Sequence, residues 1–231
     1  GALLGLLHGV ICNLPRVNDI ALGIALFLLG TGLAFYLGKP FIEPMAPRLP
    51  SLALGAWSAS PQIRAALDIA PLFVIGAACA PAMRWGLGNT RWGLIVRTVG
   101  DNADAARTLG YPVERVRALA TLTGGFLAGA GGAFLSLYYP GTWNEGLSSG
   151  QGLMAVTLVI FARWNPVACF YAALLFGGAT ALGPALQSVG ITANYYLYGA
   201  APYLLTLALL IWSSSTKHRL VGAPSELSIS K

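Results

Sequence analysis

Charged side chains are scarce. Asp, Glu, Lys and Arg make up 10% of the 231 residues, against about a quarter in soluble domains, too few to cover a water-facing surface. Histidine is rarer still. His8 and His218 stand far apart with no carboxylate or cysteine at ligand spacing, so no metal site is expected. The three cysteines, Cys12, Cys79 and Cys169, lie in or beside apolar stretches without C-x-x-C spacing. They read as small packing residues, not as disulfide partners or metal ligands. There is no G-x-x-x-x-G-K-[ST] loop, so the chain is expected to bind no ATP and no other cofactor itself. Gly146-Leu147-Ser148-Ser149-Gly150 has the spacing of a nucleophile elbow, but no strand pattern precedes it. The only later acid and histidine, Glu226 and His218, come in the wrong order for a triad. With no paired carboxylates or Cys/His set either, the composition argues against an enzyme.

What the chain does contain is apolar length: 56% of its residues are hydrophobic and 29 are glycine. A helix needs about 20 apolar residues to cross a bilayer, where its backbone can hydrogen-bond only internally. Runs of that kind fall at about 1–12, 20–37, 66–83, 118–138, 151–162, 167–186 and 198–213. The reading predicts an all-α, polytopic transmembrane helical bundle of about six to seven spans or re-entrant segments. The run at 151–162 is short enough to be re-entrant or broken. The chain starts Gly-Ala-Leu-Leu with no basic n-region, and 1–12 reads as the remaining half of a span, so an N-terminally truncated bundle is expected.

Charge in the links sets an expected topology. Arg84, Arg91, Arg97, Arg107, Arg115 and Arg117 crowd 84–117, Arg16 and Arg163 lie in short links, and Lys217, Arg219 and Lys231 lie in the tail. Glu145 is the only charge in 139–150, and 187–197 has none. If basic links stay inside, a membrane domain over 1–213 is followed by a cytoplasmic tail, 214–231. Alternation then puts the link 38–65 outside, although it holds Lys39, Arg48 and Arg64 beside Glu43, and its Glu43–Pro50 run reads as an ordered turn or extended loop, not a helix. The net charge of +6 is explained by topology, so no nucleic-acid partner is expected. The partner is the lipid bilayer.

The segment 97–117 reads as a short helix between two punctuators. Gly100 breaks what precedes it, Asp101 or Asn102 caps the new helix, and Asp104 and Arg107 complement its dipole. Gly110 takes a left-handed exit and Pro112 prevents continuation. Ala103, Ala106 and Leu109 are expected on one side, as a small apolar knob to dock in the groove of a motor subunit. On that reading Ala106→Asp would uncouple transport without unfolding the bundle.

Several motifs carry a resemblance. Thr90-Arg91-Trp92-Gly93 through Gly100-Asp101-Asn102, then Ala105-Ala106 and Gly110, resembles the coupling-helix region of ABC importer permeases, in the branch for ribose-type sugars and nucleosides. Gly124 to Ala133, Phe161-Ala162-Arg163-Trp164-Asn165-Pro166 and Pro202-Tyr203-Leu204-Leu205-Thr206 look like the same family, with Ala162 where it often has Gly. The last two pieces resemble its nucleoside-importing members. The resemblance implies a bacterial inner-membrane permease that works with a second permease subunit in a heterodimer. It also implies an ABC ATPase that binds ATP and Mg, and an extracellular or periplasmic substrate-binding protein. Gly100, Asp101, Ala103, Asp104, Ala105, Ala106, Arg107, Leu109 and Gly110 would then couple the chain to the ATPase.

Gly125, Gly129 and Ala133 form a small-residue stripe that lets helix backbones approach closely; it reads either as a moving interface or as plain packing. Trp143, Asn144 and Tyr195 read either as interfacial belt residues or as part of a substrate path. No charged residue lies clearly at mid-membrane, which suits an uncharged solute. The rival reading is a secondary transporter or channel for a small uncharged solute, which would need coupling ions or charged gates within the spans.

Overall fold

In a computed structural model, the residues described are 1–42, 50–53, 57, 59–60, 68–138, 141–148, 150–188, 190, 198 and 200–215. Helices dominate them. In order they are α1 (Ala2–Cys12), α2 (Asp19–Gly38, continued by a 3-10 turn, Lys39–Phe41), α3 (Pro71–Asn89), α4 (Arg91–Asp101), α5 (Ala103–Thr108), α6 (Val113–Tyr138), α7 (Gln151–Phe161), α8 (Pro166–Ser188) and α9 (Ala201–Ser215). One antiparallel pair, β1 (Leu52–Ala53) with β2 (Asp68–Ile69), sets Leu52 opposite Ile69.

Among the described residues, three helices are long and apolar enough to cross a membrane: Asp19–Phe41, Val113–Tyr138 and Pro166–Gln187. The helices Ala2–Cys12 and Gln151–Phe161 are apolar but shorter. The run expected at 66–83 is displaced: Asp68 and Ile69 pair with β1, and the helix starts at Pro71, whose missing N–H suits a first turn. The Glu43–Pro50 run apart from Pro50, the tail beyond Ser215 and Tyr195 lie outside the described residues.

The chain divides into two compact units. The first, Gly1–Gly76 with Leu87–Ser149, contains α1, α2, α4, α5 and α6. Asn18 starts α2, its Oδ1 accepting from the N–H groups of Ile20 at 2.9 Å and Ala21 at 3.0 Å. The helix then has no buried residue, with Phe27 68% and Leu28 63% exposed. Only one stripe, with Leu22, Leu26 and Gly30, is half-buried, and a helix apolar all round with most of its surface exposed is one that faces lipid.

The tightest contact in this unit is between α1 and α6. Gly1, Gly5 and Gly9, spaced four apart, face Thr121, Gly125 and Gly129 of α6. A methyl on Gly125 would lie 2.5 Å from the Gly1 carbonyl oxygen and 3.0 Å from the Gly5 Cα, which is inside van der Waals contact. The Thr121 hydroxyl bonds its own helix, at the carbonyls of Arg117 (3.1 Å) and Ala118 (3.0 Å), so no orphan polar group enters the seam. Lipid supplies no hydrophobic drive for two helices to associate, so close backbone packing has to supply the attraction. Gly125 and Gly129 therefore pack as their spacing suggests, whereas Ala133, one turn further on, is exposed.

The second unit, Ala77–Gly86 with Gly150–Lys231, contains α7, α8 and α9. Ala172, Phe176, Ala179 and Gly183 are buried on α8 at helical spacing, and α8 packs on both neighbours. The Arg163-Trp164-Asn165-Pro166 motif is the hairpin between α7 and α8. Arg163 N–H reaches the Ile160 carbonyl and Trp164 N–H that of Val159, both at 3.1 Å, which closes α7. Asn165 Oδ1 then caps α8 at Val167 N–H, 3.0 Å away, with Pro166 as its first residue. Arg163 and Trp164 are left-handed, with φ 51° and 55°, a conformation that costs a non-glycine residue about 1 kcal/mol.

The α1–α6 seam yields the first expectation. Gly125→Ala overpacks it and should destabilise the chain by about 1–3 kcal/mol. Gly124→Ala, whose added methyl meets nothing within 4 Å, should be neutral or stabilising. Thermal unfolding in detergent checks the contrast, and equal effects at the two positions would refute the seam.

Candidate functional site

The segment 97–117 is built by three consecutive turns of sequence logic. Thr90 caps α4, its Oγ1 accepting from Gly93 N–H at 3.0 Å. The helix does not break at Gly100, which stays helical and half-buried, and it runs on to Asp101. The break comes at Asn102, which is extended at φ −156° and ψ 104°. Its N–H closes α4 on the Thr98 carbonyl at 3.0 Å. Its Oδ1 opens α5 by accepting from Ala105 N–H at 2.9 Å. Of the two candidate caps, Asn102 is the one used. One residue thus ends one helix and starts the next.

At the other end, Gly110 is left-handed at φ 83°. Its N–H bonds the Arg107 carbonyl at 2.9 Å, and Tyr111 N–H bonds that of Ala106 at 3.0 Å. This is a Schellman motif, in which the residue after glycine also packs on the helix it closes. Tyr111 does so, against a core of Val99, Ala103, Ala106, Val113 and Val116.

That core corrects the expected docking knob. Ala106 has no exposed surface and Ala103 only 5%, because both face α4 and α6. Leu109 is 66% exposed and does not share their surroundings. The physical reason is helical drift. Positions three apart fall short of a full turn by about 60°, so a 103–106–109 stripe has rotated by about 120° at its end. Leu109 also lies past the last residue of α5, as its C-cap. The outward face is instead Asp104, Ala105 and Thr108, flanked by Leu109.

Arg107 lies between the two faces. Its Nη1 donates to Asp104 Oδ1 and its Nη2 to Glu114 Oε1, each at 3.0 Å. The Glu114 hydrogen bond is the largest cause of a guanidinium pKa raised above its ordinary value. The backbone carbonyl of Glu114 also accepts from Asn13 Nδ2 at 2.9 Å, which ties the end of α1 to the first turn of α6. Neither bond follows from spacing along one helix, and both were missed by sequence reasoning. The Gly1, Gly5, Gly9 stripe was missed too, although its four-residue repeat was there to be read.

The Trp143 ring covers Gly38 at the end of α2. A methyl on Gly38 would lie 2.5 Å from Cη2 and 2.7 Å from Cε2. Asn144 is exposed and accepts from Leu147 N–H at its carbonyl, 3.2 Å away. The structure gives these two residues packing and turn roles, and Tyr195, the third residue of that reading, lies outside the described residues.

The chain has clear relatives. A family model described as the permease component of the branched-chain amino acid transport system matches residues 1–213. A putative glucose ABC transporter permease protein of Haloferax volcanii is 29% identical, over 92% of this chain and 72% of the relative. The nucleoside ABC transporter permease protein NupC of Lactococcus lactis is 30% identical, over 91% and 69%. The guanosine ABC transporter permease protein NupQ of Bacillus subtilis is 28% identical over the same shares, 91% and 69%. No solved structure matches significantly. With a family match over nearly its whole length and three helices able to cross a bilayer, this chain belongs to the permease components of the branched-chain amino acid transport family, and is a multi-pass plasma-membrane subunit of an ABC importer, not itself catalytic.

Proposed function

We propose that this permease imports an uncharged solute of the nucleoside or simple-sugar class, and that α5 is the element through which an ATPase partner drives it. The observation that carries the reading is the construction of α5. A helix of six residues is held at both ends by caps, anchored inward by Ala103 and Ala106, and turns Asp104, Ala105, Thr108 and Leu109 outward. An isolated helix this short would not persist in water. Here it is preformed, so docking would cost little ordering entropy.

The substrate class rests on two supports. Beyond Asp19, α2 has no charged residue, α6 has none after Arg117, and α8 has none at all. Spans of this kind offer no charged side chain to pair with an ion or carry a proton, which also weighs against a secondary transporter. Two relatives bear nucleoside or guanosine in their names and one bears glucose. In the full proposal α5 faces the cytosol, as does the tail 214–231. ATP and Mg sit on the ATPase, a second permease subunit completes the path in a heterodimer, and a binding protein delivers solute from outside.

Two substitutions separate the outward face from the inward one. Leu109→Asp removes an apolar contact worth about 1.5–3 kcal/mol when buried. It should weaken ATPase association roughly tenfold or more while the chain inserts and unfolds normally. Ala106→Asp, by contrast, buries an unpaired carboxylate in the core, so the corrected expectation is loss of folding in 91–117. Normal ATPase binding by Leu109→Asp would overturn the docking face; a stable Ala106→Asp protein would overturn the core.

The substrate class is checked by uptake of labelled uridine into proteoliposomes holding the assembled transporter, with competing nucleosides, monosaccharides and branched-chain amino acids. Inhibition by a nucleoside or a sugar is expected. Inhibition by amino acids alone would refute the assignment.

A further inference from the structure

We infer that Arg107 is a positioning residue, an ionic clasp that holds α5 at a fixed angle on α6 and makes α1, α5 and α6 move as one lever. The inference rests on the reading that α5 receives the stroke of the ATPase.

The mechanical need comes from the geometry. Four residues, Leu109 to Pro112, separate α5 from α6, and a single left-handed glycine makes the bend. The side chains of α5 buried against its neighbours are two alanine methyl groups, from Ala103 and Ala106, which offer little apolar area to resist a swing about that bend. Arg107 supplies what the methyls lack. Its planar guanidinium uses one terminal nitrogen on Asp104, within α5, and the other on Glu114, in the first turn of α6, both at 3.0 Å. A fork engaged on two different elements fixes direction as well as distance, which a single point charge does not.

The same bond continues toward α1. The Glu114 carboxylate holds α5 while its main-chain carbonyl accepts from Asn13 at 2.9 Å. Asn13 is the C-cap of α1, and α1 lies against α6 along the glycine seam up to Gly129. A push on α5 therefore reaches α1 through groups in contact at every step. Asp104, Arg107 and Glu114 are half to almost fully exposed, at 92%, 51% and 55%. Ion pairs so exposed contribute little to stability, so the value of this one lies in where it holds α5.

The test uses the complete transporter, with ATPase and binding protein, in proteoliposomes, and reads solute transported per ATP hydrolysed. Arg107→Ala should leave the unfolding midpoint unchanged and lower that ratio about fivefold or more. Arg107→Lys, with charge but no fork, should fall between. The exchange Arg107→Glu with Glu114→Arg should restore most of the loss, which a merely local structural role would not. Asn13→Ala should lower the ratio in the same way. An unchanged ratio in Arg107→Ala, or a loss that the exchange fails to restore, overturns the clasp; an unchanged ratio in Asn13→Ala overturns the route to α1. Failure of the parent reading has a different signature: the ATPase then binds Leu109→Asp as tightly as the unaltered chain.

Discussion

Between α1 and α6 the backbones come so close that a single methyl group would not fit, and this contact is what lets the rest of the first unit act as a body. In a bilayer the apolar surface of a helix is as well solvated by lipid as by another helix, so side-chain burial alone does not hold two spans together. Gly1, Gly5 and Gly9 against Gly125 and Gly129 solve the problem by removing the side chains at the seam. Dispersion contacts and backbone dipoles then act at the shortest range the chain permits. Because close-packed seams do not deform continuously, whatever tilts α6 must carry α1 with it.

The segment from Arg91 to Val116 depends on that body and on a different kind of contact. It is not paved with glycine. It has a small core of its own, in which Val99, Val113 and Val116 close over Ala103 and Ala106. Small methyl groups at 103 and 106 let a short helix lie flat on its neighbours, and larger side chains would lift it away. The alanines are therefore a seat, and the residues free to meet a partner are those the seat turns outward. A face of Asp104, Ala105 and Thr108 with Leu109 at its margin is partly polar. It suits a surface that must stay soluble before its partner arrives and offers one apolar side chain as anchor.

How much of this was legible in the sequence depends on how local each signal is. Apolar runs long enough to cross a bilayer mark α2, α6 and α8 directly, because length and the scarcity of charge are properties of a contiguous stretch. Gly110 before Pro112 marks the end of α5 for the same reason: a left-handed exit and a blocked continuation need only neighbouring residues. The Gly125 and Gly129 pair could be read as a packing face, but its partner could not, since sequence order says nothing of which small-residue stripe a given stripe meets. The facing of α5 failed for a different reason. Positions i, i+3 and i+6 drift round a helix instead of sharing one side, and Leu109 lies beyond the last residue of α5. The expected start of α3 differs because Asp68 and Ile69 pair with β1, a non-local partner that an apolar run interrupted by Asp68 does not reveal.

Arg107 joins the seam to the seat, and it does so from an exposed position. A buried ion pair would lock the bend between α5 and α6 at a large desolvation cost and would resist every rearrangement equally. A solvent-exposed fork costs little to form and little to break, so its effect is on orientation more than on stability. A structure that must be stiff in one direction and still able to exchange between two states is well served by that division. The glycine seam holds α1 to α6 without directional choice, the alanine seat sets the height of α5, and the guanidinium sets its angle. Of the three, only the angle is held by groups that water can reach, which makes it the adjustable part of the assembly.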